Sequence, residues 1–213
     1  GSDKDAKKAL EVLAVYKNHL EQGKSARSAD VSLDDQRFIA DIFLLTAKPV
    51  MYVCNVDEAA VINGNALVDQ LKESIKGENA EVLVIAAAIE AEITMLESFD
   101  DRQAFLSDLG LKESGVTKLI RAAYRLLNLQ TYFTAGEKEV RAWTITKGML
   151  APQAAAVIHT DFEKGFIKAE VIHYEDFLKY GSESGCRDAG KLSIEGKEYL
   201  VDDGDIMHFR FNV

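Results

Sequence analysis

The sequence predicts an α/β segment followed by an α+β segment, and three observations carry that expectation. Two nearly continuous apolar runs, Pro49-Val50-Met51-Tyr52-Val53-Cys54 and Val82-Leu83-Val84-Ile85-Ala86, read as parallel strands covered on both faces. A helix lies between them, with Leu67, Leu71 and Ile75 at four-residue steps. From residue 131 onward the pattern changes to short alternating runs separated by turns.

Residues 3 to 47 read as two helices. In the first, Ala6, Leu10, Leu13, Lys17 and Leu20 draw one narrow stripe at three- and four-residue steps, which suits a hairpin of long helices. This helix starts almost at the chain's beginning without an antiparallel partner of equal length, so the expectation is that a segment is missing upstream. The second helix opens at Ser32, whose hydroxyl caps the backbone with support from Asp35. Phe38, Ile39, Ile42, Phe43 and Leu45 then form a broad apolar face that ends before Pro49. The two strands of residues 49 to 88 form a βαβ unit and finish at the same edge, where open α/β sheets bind ligands. Helices follow at 89–97, 101–109 and 115–127, the last with Val116, Leu119, Ile120, Ala123 and Leu127 on one side. Beyond residue 131, strands are expected at 140–146, 166–174, 191–194, 198–201 and 206–211, with a short Ala-rich helix at 152–158. No internal repeat or low-complexity tract interrupts the chain.

Composition bounds the function. The 213 residues, 47% of them hydrophobic, suffice for one large or two small domains. A formal charge of −10, from 35 acids and 25 bases, excludes a protein that coats nucleic acid by bulk electrostatics. Any RNA contact is local. The apolar runs are too short to span a bilayer and no leader precedes a cleavage site, so a cytosolic protein is expected. Cys54 and Cys186 belong to no CxxC pair and read as reduced thiols. Gly1-Ser2 resembles a tag-removal scar.

The candidate sites lie at strand ends. Gly23-Lys24-Ser25 fails as a phosphate loop because Asn18, inside a helical stretch, stands where the pattern needs glycine; Gly23 is the stop of the first helix. Asn55-Val56-Asp57-Glu58 falls at the carboxyl end of the first strand. P-loop GTPases hold Asn-Lys-x-Asp there, in which Asn braces the base loop, the Lys stem covers the purine, and Asp accepts from the guanine N1 and N2 hydrogens. Here Val56 replaces the Lys, and Glu58 carries its carboxylate one methylene further, which relaxes the guanine preference. At the end of the second strand, Ala86-Ala87-Ala88 occupies the place where such proteins meet the base through backbone N–H groups. A turn rich in Asn and acids, and an Ala-rich junction packed tightly, account for the same residues without a ligand. The four histidines, His19, His159, His173 and His208, show no metal-ligand spacing, and Asp202, Asp203 and Asp205 read as a solvated turn. Lys112, Lys118, Arg121 and Arg125 form a candidate basic patch for RNA or ribosome contact, with a solvated helix face as the plainer reading.

Thr131 to Gly136, Glu139 to Ile145, Ala151 to Ala155, Val157 to Glu163, Gly165 to Ile167 and Asp203 to Asn212 together closely resemble the carboxyl-terminal region of the YchF family, the Obg-like ATPases. Leu20 to Arg27, Pro49 to Glu58 and Gly115 to Arg121 resemble it too, so the resemblance covers essentially the whole chain. It implies a coiled-coil hairpin part at 3–47, the carboxyl-terminal part of a P-loop nucleotide-binding domain at 48–129, and a ubiquitin-like β-grasp TGS domain at 130–213. It also implies a ribosome-associated hydrolase that prefers ATP to GTP and uses Mg²⁺. The family's phosphate loop, magnesium ligands and switch segments are expected before residue 3, leaving this chain inactive, with no nucleotide held tightly. On that resemblance Asn55, Val56, Asp57, Glu58, Ala86, Ala87 and Ala88 are base-side contacts, and no catalytic residue or metal ligand is assigned. The alternative is a non-enzymatic RNA, ribosome or protein interaction module acting through the TGS-like sheet. Open edges of the shortened parallel sheet make dimerisation an expectation in either case.

Overall fold

The computed structural model describes residues 4–78, 80–136 and 139–212; Gly1-Ser2 lies outside them. The fold is mixed α/β, and the chain divides into two compact units, Gly1–Leu126 and Leu127–Val213.

In the first unit, helix α1 spans Lys4–Glu21 and stops at Gly23, whose φ of +74° and N–H to the Leu20 carbonyl (2.9 Å) close the helix as expected. The buried line differs from the predicted stripe. Val12 and Tyr16 are buried, Leu13 and Leu20 flank them, and Leu10 is 68% exposed. The reason lies in what the helix packs against: Ala26 and Ile39, from two short turns, cover only one side of it. Ser32 Oγ accepts from Asp35 N (3.2 Å), yet helix α2, Leu33–Gln36, lasts one turn. A 3₁₀ stretch, Arg37–Ile42, and a left-handed Phe43 (φ 52°) end it, so the broad apolar face does not form, and Phe43 and Leu45 point outward.

Strands β1, Met51–Asn55, and β2, Glu81–Ile85, pair in parallel from Met51↔Glu81 to Asn55↔Ile85. Helix α3, Ala66–Ser74, lies between them in sequence, capped by Asn65 Oδ1, which accepts from Leu67 N and Val68 N. Two expectations are corrected here. Val68, not Leu67, takes the inward position of α3, and neither strand is buried on both faces, with Val53 43% exposed. Helices α4, Ala87–Met95, α5, Phe99–Asp108, and α6, Gly115–Leu126, complete the unit around Val61, Ala86, Ile89, Ile93, Leu106 and Leu111. On α6 the buried residues are Gly115 and Ala122, while Val116 and Ile120 are exposed, because the helix is oriented by a close approach at Gly115 described below.

The second unit is a five-stranded sheet in the order β4-β3-β7-β5-β6. Its elements are β3 (Leu129–Ala135), β4 (Val140–Thr146), α7 (Ala151–Ile158), α8 (Thr160–Lys164), β5 (Phe166–Ile172), α9 (Tyr174–Tyr180), α10 (Glu183–Asp188), β6 (Ser193–Glu195) and β7 (Ile206–Phe211). The β3–β7 pair is parallel and the others antiparallel. Ala151, Ala154 and Ala155 are fully buried, so α7 sits close on the sheet, and Tyr132 OH donates to the Ala154 carbonyl at 2.9 Å. Three expectations change. The strand opening the unit, β3, was not foreseen; Tyr174 begins a helix rather than ending a strand; and 198–201 contributes only the Leu150↔Leu200 bridge.

The expected solvated acidic turn is corrected at Asp205, while Asp202 and Asp203 are exposed as expected. Asp205 is 1% exposed: its carboxylate accepts from Tyr199 OH (2.8 Å) and Asp202 N (2.9 Å) and meets His173 Nδ1 (2.8 Å). Asp203 Oδ1 accepts from Thr131 N (2.8 Å), and the Asp205 carbonyl accepts from Phe133 N (2.7 Å), so this loop joins β3 to β7. Burial, reinforced by Asp205, pushes the Tyr199 hydroxyl pKa well up. Removing a buried carboxylate that satisfies several donors costs on the order of 3 kcal/mol. Asp205→Ala is therefore expected to lower the unfolding free energy of the second unit by about that much, read by urea denaturation.

Glu78 gives the first unit a pH dependence. The Arg27 guanidinium (3.0 Å) and then the Tyr52 hydroxyl (3.0 Å) hold its carboxyl below the ordinary value of 4.5. A depressed carboxyl stabilises the fold above its unfolded pKa and ceases to as pH falls through its folded value. The expected outcome is that Glu78→Gln lowers the melting temperature at neutral pH and that the gap to the parent closes on acidification below 4.5.

Candidate functional site

The candidate site is the rim where β1 and β2 end together. The Asn55↔Ile85 pair closes the ladder, and Val56 N donates to the Ile85 carbonyl (2.9 Å), carrying the pairing one step further. Asn55 Oδ1 then accepts from Ala87 N at 2.9 Å. That bond joins the two strand-end turns. Ala86, at the N-cap of α4, has no side chain able to accept the first orphan N–H of the helix, and Asn55 supplies the oxygen from the neighbouring strand. Asn55 thus joins the two turns through a contact within the protein.

The other rim residues divide by environment. Val56 is half-buried and packs against the core of the unit. Asp57 Oδ1 accepts from Ala60 N (3.0 Å), capping the 3₁₀ turn Glu58–Ala60, so this carboxylate has a local structural task. Glu58 is exposed at the start of that turn. Ala86 is buried, while Ala87 and Ala88 are exposed on the first turn of α4. Asn55, Val56, Ala86 and Ala87 are therefore held together by hydrogen bonds and packing, with Glu58 beside them in sequence on an open surface.

Sequence reasoning missed the group that fixes this rim from behind. Glu90 Oε1 accepts from Gly115 N (2.6 Å) and Oε2 from Val116 N (3.1 Å), so its carboxylate caps α6. A Cβ at Gly115 would lie 2.8 Å from Glu90 Oε1 and 3.0 Å from Ile85 Cγ2, so a side chain there would have to displace the Glu90 carboxylate and shift Ile85. The signal in the chain was faint: an acid in the first turn of one helix and a Ser-Gly pair opening another.

The basic patch is partly neutralised. Arg121 pairs with Glu113 (2.7 Å) and Arg125 with Glu81, while Lys112 is exposed and Lys118 half-buried. His19 meets Ser28 Oγ, His159 caps α8 by accepting from Asp161 N, and His208 is exposed on β7. Among the described residues no group of three or more His, Cys, Asp or Glu is arranged to hold a metal ion, and no helix is long and apolar enough to cross a membrane. Cys54 is half-buried; Cys186 is fully buried, and burial together with Asp176 pushes its thiol pKa up.

The parallel pair with its shared rim in one unit and the five-stranded sheet of the other define a two-unit mixed α/β protein with a candidate ligand edge. Comparison with known proteins narrows the class. A family model named YchF-GTPase_C, "Protein of unknown function (DUF933)", matches residues 129–212. The chain is 52% identical to the "Ribosome-binding ATPase YchF" of Bacillus subtilis and 53% to that of Pasteurella multocida, covering 99% and 100% of this chain and 58% of each relative. The structure of the Schizosaccharomyces pombe YchF GTPase matches with a TM-score of 0.82 at 38% identity, over 97% of this chain and 55% of that one. A GTP-binding protein from Pyrococcus horikoshii OT3 shares the fold, with a TM-score of 0.55 at 18% identity over 97% of this chain and 56% of that one. The chain belongs to the YchF family and spans 58% of the length of those curated relatives.

Loss of the Asn55 cap is expected to cost about 1 kcal/mol. Asn55→Ala should therefore destabilise the first unit by that amount and speed hydrogen exchange at the Ala87 amide. Glu58→Gln, at an exposed position, should leave both unchanged.

Proposed function

We propose that this chain supplies the base-side rim of a ribosome-associated, ATP-preferring P-loop hydrolase. The single observation that carries the reading is the Asn55 Oδ1 to Ala87 N bond, which holds both turns at one edge of a parallel pair. Asn55 acts as the brace, Val56 as an apolar surface for the purine, and Glu58 as the carboxylate whose longer reach relaxes guanine selection. Ala86 to Ala88 offer backbone N–H groups small enough to approach a base. Asp57, bound to its own turn, positions Glu58. The relatives are named ribosome-binding ATPases, and that wording supports both the nucleotide and the ribosome.

No Gly-x-x-x-x-Gly-Lys-Ser/Thr occurs in the 213 residues. The phosphate grip and its Mg²⁺ therefore belong to the part of the relatives' length that this chain does not match. Phosphoryl transfer depends on those parts for charge neutralisation and water positioning, so the chain alone binds the base and hydrolyses nothing. The second unit, with a parallel central pair flanked by antiparallel strands and one close-packed helix, fits a β-grasp domain of the TGS type. That sheet is a contact surface for the ribosome. The Lys112 to Arg125 helix is a weaker candidate, since Arg121 and Arg125 already have acidic partners.

Titration calorimetry and amide shift mapping test the nucleotide reading. ATP and adenosine are expected to bind this chain within about tenfold of each other, a gap of about 1.4 kcal/mol, without Mg²⁺ dependence and with shifts confined to residues 55–58 and 86–88. Tight Mg²⁺-dependent ATP binding, turnover, or shifts elsewhere would mean that the site lies in another place.

A further inference from the structure

At the end of β1 away from the rim, the first unit holds a cavity of about 330 Å³. Pro49 and Val50, which lead into β1, form part of its wall, and Glu78, shortly before β2, forms another part. Tyr16 lines it from α1, and Arg27 from the short 3₁₀ turn Ala26–Ser28. Two polar groups here lack partners. Tyr16 is 4% exposed, yet its hydroxyl has no hydrogen-bond partner among the described residues. Arg27 donates from Nη1 to the Thr46 carbonyl (3.0 Å) and from Nη2 to Glu78 Oε2 (3.0 Å), while its buried Nε has no acceptor. Buried polar groups without partners are uncommon, and each carries a free-energy cost that a bound ligand can relieve.

We infer that this cavity binds a small, neutral, ring-bearing carboxamide or lactam. The charges of the wall set the neutrality. Arg27 and Glu78 already pair, so an anion drawn to the guanidinium would be set against the carboxylate, and a cation would meet the reverse. The hydrogen-bonding groups set the functional group. Tyr16 OH and Arg27 Nε–H are donors that one carbonyl oxygen can answer. Reaching Nε takes a small turn of the guanidinium, because the atom is closed to solvent. Glu78 Oε2 is taken by Arg27 and by Tyr52 OH (3.0 Å), which leaves Oε1 to accept an N–H. An amide carries both halves of that pattern. The apolar part of the wall, which includes Ile39, Ala47 and Leu126 beside Pro49 and Val50, suits the faces of a ring. The volume falls at the lower end of small-molecule sites, roughly 300 to 1,000 Å³. The cavity lies at the amino ends of β1 and β2, whereas Asn55 and Ile85 close their carboxyl ends, so the inference does not rest on the nucleotide reading.

Proton–nitrogen spectra of the whole 213-residue chain test this with three probes of similar size: benzamide, benzoate and toluene. Benzamide is expected to shift the Arg27 Nε–Hε signal and the backbone amides of Tyr16, Arg27 and Glu78, with a Kd on the order of a millimolar. Residues 55–58 and 86–88 should stay unmoved. Benzoate, which is charged, and toluene, which has no amide, should each bind about tenfold more weakly or worse. Tyr16→Phe should weaken benzamide by about fivefold, the effect of one hydrogen bond. The same variant should leave the melting temperature of the free chain unchanged or higher, because the hydroxyl it removes is bonded to nothing. No shift at Arg27 Nε with benzamide at about ten times a millimolar overturns the inference. So does benzoate or toluene binding as tightly as benzamide, which would make the cavity an anion site or a plain apolar hollow. A Tyr16→Phe chain that binds benzamide unchanged, or that melts lower without it, also overturns the inference, since the hydroxyl would then belong to the fold.

Discussion

The parallel register of Met51–Asn55 on Glu81–Ile85 is the constraint on which the candidate site depends. Parallel strands finish on the same side, so both chains must turn away at one edge, and the turns are close enough for one amide side chain to span them. Asn55 is that side chain. Its oxygen reaches Ala87 N because Val56 keeps the ladder closed for one further residue. Moved by one position, the pairing would direct Asn55 to the other face of the sheet, and α4 would lose the acceptor at its start.

Behind this edge, the approach of α6 is set by a carboxylate and a missing Cβ. Glu90 gathers the Gly115 and Val116 N–H groups, and Gly115 leaves room for Ile85 to pack beneath them. The same principle recurs in the second unit with a different acid. Asp205 takes its donors from three segments and thereby ties the start of β7 to β3 and to the loop carrying Tyr199. In both units an acid that looks like surface chemistry in the sequence is the fastening between elements.

Much of the fold was legible because local rules and tertiary packing agreed. Gly23, Ser32 and the apolar runs around residues 51 and 82 each announced a stop, a cap or a strand that the structure contains. Where burial depends on what lies opposite, periodicity alone was insufficient. Leu10 and Val12 serve equally well as helix stripe residues, and the small partner surface from Ala26 and Ile39 chose Val12. Phe43 adopts a left-handed conformation that nothing in its side chain favours, so the end of the second helix could not be read in advance. The rim residues were identifiable from strand ends and family pattern, whereas the Glu90–Gly115 link joins positions whose proximity only the folded chain reveals.

The two thiols stand in opposite circumstances, and this gives the chain a built-in address for chemical labelling. Cys186 is sealed in the interior and disfavours the thiolate, while Cys54 is partly open on the residue just before Asn55. Thiolates are the reactive form, so a maleimide dye or spin label will settle on Cys54 first. A reporter attached there sits on the strand that leads into the edge, without any engineered cysteine.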